Sequence, residues 1–203
     1  VEVLVQRLAG VLLEVGAHQR EDVRRNRETL LVPWMGPASD AIAASFRAVG
    51  VKAEAMPLSD PETLQLGRRY TSGKECLPMC LTLGGLLQRL KTDPDPSSRF
   101  ALLMPKTCGP CRFGVYNLLN RIVMAKLGYG ERMSIWAPVD EDYFRGLPAA
   151  LSALVFAGAA GSDMLVDALH DARPSEAQPG ACEAIYRRYH AELVERLEAA
   201  GKG

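Results

Sequence analysis

With 203 residues, 48% of them hydrophobic, the chain suits one ordinary domain or two small ones and is apolar enough to bury a core. Its 24 Lys and Arg balance its 24 Asp and Glu, so no net field draws it to nucleic acid or an anionic membrane, whatever local patch Arg24, Arg25 and Arg27 make. Neither is expected as a partner.

The opening segment VEVLVQRLAGVLLEV sets Val1, Leu4, Leu8, Leu12 and Val15 at helical spacing. Residues 1–28 therefore read as an N-terminal helix and linker, and a start on Val1 reads as internal to a longer chain. Glu2, Arg7 and Glu14 interrupt a run far short of the ~20 apolar residues of a membrane span, and no other stretch is expected to do better.

From Leu30 the pattern becomes strand, loop, helix, strand. The first strand runs from Leu30 to Trp34, Ser39 and Asp40 are natural helix caps, and Ile42, Phe46 and Val49 mark a buried helix face. Gly50 closes that helix before a short strand from Val51 to Met56, and Ser59 to Pro61 opens the next helical segment. After KECLPMC comes a helix through Leu83, Leu86, Leu87 and Leu90, stopped by the prolines of TDPDPSS. FALLMP is a third strand, a helix from Phe113 to Leu127 turns Val115, Leu118, Leu119, Ile122 and Val123 to one side, Gly128 caps it, and MSIWAPV is a fourth strand.

Strands alternating with helices predict a three-layer, Rossmann-like α/β domain over residues 29–146, with a mostly parallel four-stranded sheet covered on both faces. From Leu147 the pattern is helical only, an Ala-rich segment to His170, the turn RPSEAQPG and a last helix with Ile185, Tyr189, Leu193 and Leu197. Residues 147–203 are read as a helical extension.

Four of the five cysteines fall in two clusters, KECLPMC with Cys76 and Cys80, and TCGPC with Cys108 and Cys111. In a chain too large to depend on disulfides, that usage points to metal binding in a reducing compartment, the cytoplasm. Thiolates at short spacing favour zinc, Cu(I) or iron-sulfur clusters. Cys108 and Cys111 directly follow a strand, where ligands of open α/β sheets gather, and both clusters lie at helix starts, whose partial positive charge suits an anionic centre. Gly109 and Pro110 make a tight turn between two thiolates, backbone amides near Gly114 can donate to sulfur, and Arg112 can offset charge. A structural zinc site of all four cysteines and a thioredoxin-like redox pair fit the same spacing.

The strings YTSGKECLPMCLTLGGLL and TCGPCRFGVYNLLNRIV resemble blocks of the 2-hydroxyacyl-CoA dehydratase and benzoyl-CoA reductase-like superfamily. The likeness is greatest to its activase-linked branch, a domain of unknown function found in large multidomain proteins, and covers roughly Leu30 to the C-terminus. It implies a 4Fe-4S-type cluster held by Cys76, Cys108 and Cys111, reduced at very low potential through ATP hydrolysis on a partner module of the sugar kinase, Hsp70 and actin superfold, the CoA-substrate-specific enzyme activase. Cys80, one residue later than a CxxC pair would place it, is implied as either a fourth ligand or a buried thiol. Unlike the complete family proteins, the chain has no ATPase module and one cysteine-bearing α/β domain. A second such domain or a second copy of the chain is therefore also implied as a partner. No GxxxxGK[ST] loop occurs, so no nucleotide site is expected.

In the dehydratases that the chain resembles, an injected electron forms a ketyl radical from a 2-hydroxyacyl-CoA, but no residues here mark an acyl-CoA pocket and no catalytic residue is assigned. The expectation is a component of a dehydratase-like or reductase-like redox enzyme. The alternatives are a noncatalytic interaction module with structural zinc and a small-molecule-binding α/β domain. Lys74 and Glu75 flank Cys76 and serve to position it, to move a proton or to start a helix. Tyr116 and Asn117 line the site or pack the helix, and Gly36 and Ser39 approach a ligand or cap a helix. His18, His170 and His190 have no ligand partners at useful spacing, and Cys182 reads as structural.

Overall fold

A computed structural model describes residues 23, 25, 27–107, 109–138, 143–144 and 146–201; the expected first helix, His18 and Cys108 lie outside them. In chain order the elements are β1 (Thr29–Val32), α1 (Ala38–Ala48), β2 (Ala53–Ala55), α2 (Pro61–Arg68), α3 (Leu77–Thr92), β3 (Phe100–Leu103), a 3-10 turn (Arg112–Val115), α4 (Tyr116–Lys126), β4 (Met133–Trp136), α5 (Ala150–Ala172), a second 3-10 turn (Arg173–Ser175) and α6 (Ala181–Ala200).

The strands form one parallel sheet in the order β2-β1-β3-β4, with Leu30 opposite both Ala53 and Ala101, and Leu102 opposite Ile135. The expected α/β architecture, with its parallel sheet and helical extension, is present. β1 and β3 are buried along their whole lengths, as central parallel strands with helices on both faces must be. On one face Leu31, Leu102 and Ile135 meet Leu83, Leu86, Leu87 and Leu90 of α3 and Val123 and Met124 of α4. On the other, Leu30, Val32, Leu103 and Trp136 meet Ala43 and Phe46 of α1 and Leu151 of α5. Fully burying each such Leu or Phe contributes roughly 1.5–3 kcal/mol.

α1 is small-sided as well as apolar, and Ala41 and Ala44 on its outer side pack against Leu197 of α6. Beyond the start of α5, where Leu151 meets the sheet, the α5–α6 hairpin rests on α1. Gly158 of α5 lets the helices approach, because a Cβ there would lie 2.9 Å from Leu197 and 3.0 Å from Ala41. Among the described residues α5 is the one helix long and apolar enough to cross a membrane by length and composition, a stretch the sequence reading did not allow. It carries Asp163 and Asp167 on its exposed side and buries Leu151, Gly158, Ser162 and Leu169.

The strands are shorter than their apolar runs, and two helix details differ from expectation. Ser39 is inside α1 rather than capping it; its hydroxyl accepts from Met35 N–H and donates to the Pro33 carbonyl, so it closes the β1–α1 loop and is buried. α4 is rotated relative to the expected face. Val115, Leu118 and Ile122 are exposed, while Tyr116, Asn120, Val123 and Met124 are buried. The GPCRFG segment ends in a 3-10 turn, and the change to α geometry at Tyr116 resets which side faces the sheet.

A cysteine-bearing candidate site at the carboxyl end of the sheet

The chain leaves β1 toward β2 on one side and later passes to β3 on the other. The carboxyl ends of β1 and β3 therefore flank the point where strand order reverses, the usual crevice for ligands in open α/β sheets. α3 runs back against the strands, which brings its N-terminus to this same edge. Cys76 is the N-cap residue of α3, and Cys111 precedes the 3-10 turn that leads into α4. Two segments 35 positions apart in the chain thus deliver their thiols to one end of the sheet.

Direct bonds join these segments. The Arg112 guanidinium donates to the Lys74 carbonyl at 2.6 Å, and Cys76 Sγ lies 2.6 Å from Tyr116 Oη. Phe113 meets the Tyr116 ring edge-on, with centroids 5.3 Å apart. Tyr116 is only 5% exposed. Burial first, then the hydrogen bond with Cys76, push its phenol well above the ordinary tyrosine range, against a smaller opposite pull from Arg112. Cys76 is half-buried and Cys111 exposed.

Each loop has its own fastening. Glu75 accepts from the Ser72 N–H at 2.9 Å, the Ser72 hydroxyl at 3.0 Å and the Lys74 N–H at 3.1 Å. These bonds, the Ser72 amide foremost, hold its carboxyl below the usual range. In this loop the charged form of Glu75 is the one the backbone solvates. In the second loop Gly114 turns back so closely that a Cβ would lie 2.4 Å from the Thr107 carbonyl oxygen. Its N–H points to the Cys111 carbonyl at 3.4 Å, closing the turn rather than standing free for a ligand, and Asn117 Nδ2 donates to the Gly114 carbonyl.

Cys80 has a different partner. It is on the first turn of α3, 6% exposed, with Sγ 3.6 Å from the Thr71 hydroxyl. α2 crosses α3 at backbone contact here, for a Cβ on Gly67 would meet the Cys80 carbonyl oxygen at 1.8 Å. Lys74, Glu75, Cys76, Met79, Arg112, Val115, Tyr116 and Leu119 line a cleft of about 140 Å³ beside the site. Larger hollows along β4 and between α5 and α6 contain no cysteine or histidine. Among the described residues no three His, Cys, Asp or Glu side chains gather as a metal-holding group; Cys108 lies outside that set.

The remaining candidates are elsewhere. Gly36 is in the β1–α1 loop with φ +130°, and Ser39 is spent within that loop. His190 Nε2 lies 3.1 Å from the Pro37 carbonyl and its ring stacks on Tyr186, tying α6 to the β1–α1 loop. Cys182 belongs to the start of α6, where burial first and then Glu176 push its thiol pKa up. Sequence reasoning missed Ser72, Thr107 and Phe113. For Ser72 a signal was present, since Ser72 and Glu75 make the S-x-x-E spacing of reciprocal side-chain and backbone bonding. Comparisons of the chain with protein-family models, curated proteins and solved structures return no match.

Proposed function

We propose that the chain carries an iron-sulfur cluster of the 4Fe-4S type, bound through Cys76, Cys108 and Cys111, in a low-potential electron-transfer system related to the 2-hydroxyacyl-CoA dehydratases and their activators. The observation that carries this reading is the joining of the two cysteine segments, Cys76 to Tyr116 and Arg112, next to Cys111, to the Lys74 carbonyl. The donor chemistry fits. Two soft sulfur ligands stand at the carboxyl edge of a parallel sheet, one of them at the N-terminus of a 16-residue helix whose dipole favours negative charge. When bound, such a cluster supplies one-electron storage at a potential set by its charge, hydrogen bonding and exposure.

The residues around it divide the remaining work. Arg112 fastens the two cysteine loops together and brings positive charge, and Glu75 keeps the first loop folded. Gly114 fixes the return of the second. Lys74 and Arg112 stand at a cleft whose other walls include Met79, Val115 and Leu119, a mixed lining suited to excluding water from one side. Cys80, facing Thr71, is assigned here as a buried thiol outside the ligand set. The electron donor proposed is an ATP-hydrolysing module of the sugar kinase, Hsp70 and actin superfold, in the cytoplasm, with a second cysteine-bearing α/β domain or a second copy of the chain as acceptor.

Metal analysis after anaerobic purification tests the reading. Iron and acid-labile sulfide in a cubane ratio, lost in Cys111→Ser and retained in Cys80→Ser, support it. Zinc without sulfide, held by wild type and lost in Cys80→Ser, supports the four-cysteine structural site instead.

A further inference from the structure

Tyr116 is the first residue of α4, yet its hydroxyl reaches Cys76, 40 positions earlier, at 2.6 Å. The phenol is only 5% exposed, and a neutral phenol offers its proton to the best acceptor in reach. Its Oη is paired with Cys76 Sγ, where either atom can be the donor; once Cys76 is a thiolate ligand, the phenol is the one donor left in the pair. The ring is held from the side by Phe113, edge-on at 70°, and Val123 and Met124, about two turns along the same buried face, anchor the helix beneath it. The hydroxyl is therefore aimed by packing rather than by chance rotation.

We infer that Tyr116 is a positioning residue, donating its hydroxyl proton to Cys76 Sγ and thereby setting both the orientation of that sulfur and the reduction potential of the centre it serves. This rests on the proposed cluster. Its physical basis is general: a hydrogen bond to a ligand sulfur stabilises the more negative, reduced state, so its removal lowers the potential. Tyr116→Phe keeps the ring, its contact with Phe113 and nearly all its volume, and deletes only the donor.

Two measurements separate the inference from the reading beneath it. In the metal-free protein, proton NMR of tyrosine-labelled chain should show one slowly exchanging hydroxyl resonance, absent in Tyr116→Phe and shifted or lost in Cys76→Ala. A resonance indifferent to Cys76→Ala overturns the bond. In the reconstituted protein, Tyr116→Phe should retain iron and sulfide while its reduction equilibrium falls about ten-fold, equivalent to about 59 mV for a one-electron couple. Phe113→Leu, which disturbs packing but keeps the hydroxyl, should shift it by less than a third of that. An unchanged potential in Tyr116→Phe, or an equal shift in Phe113→Leu, overturns the tuning role. A wild type that takes up no cluster overturns the proposed function and the tuning role together, and the hydroxyl resonance alone then decides whether the Tyr116–Cys76 bond exists.

Discussion

Replacing Gly114 with alanine sets a methyl group 2.4 Å from the carbonyl oxygen of Thr107, with the Thr107 carbonyl carbon and Oγ1 both at 3.5 Å. Ordinary contact begins near 3.4 Å, so one of the two segments must retreat by about 1 Å. The obstacle is backbone, not the flexible end of a side chain, and the chain cannot relieve it by a rotamer change. Overpacking of this kind costs roughly 1–3 kcal/mol, offset by up to about 1 kcal/mol because alanine loses less backbone entropy than glycine. A net loss of about 1–2 kcal/mol is expected in urea unfolding of the metal-free protein, with an unchanged m-value. Because the same loop presents Cys111, iron uptake should fall as well. Stability within about 0.5 kcal/mol of wild type together with full iron content would refute the argument that the Gly114–Thr107 approach shapes the site.

The other predictions address the fold and the loops. Asn120 is completely buried on α4 with neither amide atom hydrogen-bonded; Asn120→Leu should raise stability by about 1–3 kcal/mol in denaturant titration, the cost of a desolvated polar group. The rotated face of α4 makes Met124→Ala expensive, about 2–5 kcal/mol, and Ile122→Ser close to neutral, within about 0.5 kcal/mol; the reverse order would restore the aliphatic face expected from the sequence. Glu75 has a folded pKa held below its unfolded value. Its contribution is fully present above the unfolded value near 4.5 and is lost as pH falls through the lower folded one. Glu75→Gln should therefore flatten the acid side of the stability profile and leave the neutral side parallel to wild type.

The architecture was legible because its signals are local and repeated. Buried strands such as FALL, the Asp60–Thr63 capping box with Pro61 beside it, and the leucines of α3 each declare an element within a few residues. The face of α4 was not, because Val115, Leu118 and Ile122 make as good an apolar stripe as Tyr116, Val123 and Met124, and only the 3-10 start breaks the tie. Ser39 looked like a cap because Ser is a good one, whereas the β1–α1 loop needed its hydroxyl more. At the site, the cysteines could be picked out by spacing, but their partners could not. Tyr116 meets Cys76 across 40 positions and Arg112 meets Lys74 across 38, pairings created by the passage of the chain from one side of the sheet to the other.

Electron paramagnetic resonance of the anaerobically reconstituted, chemically reduced protein tests the central claim most directly, because a reduced cubane is paramagnetic and zinc is not. The account predicts a fast-relaxing iron-sulfur signal in wild type and in Cys80→Ser, and none in Cys76→Ser or Cys111→Ser. A silent wild type, or a signal that survives in Cys111→Ser and vanishes in Cys80→Ser, would contradict it.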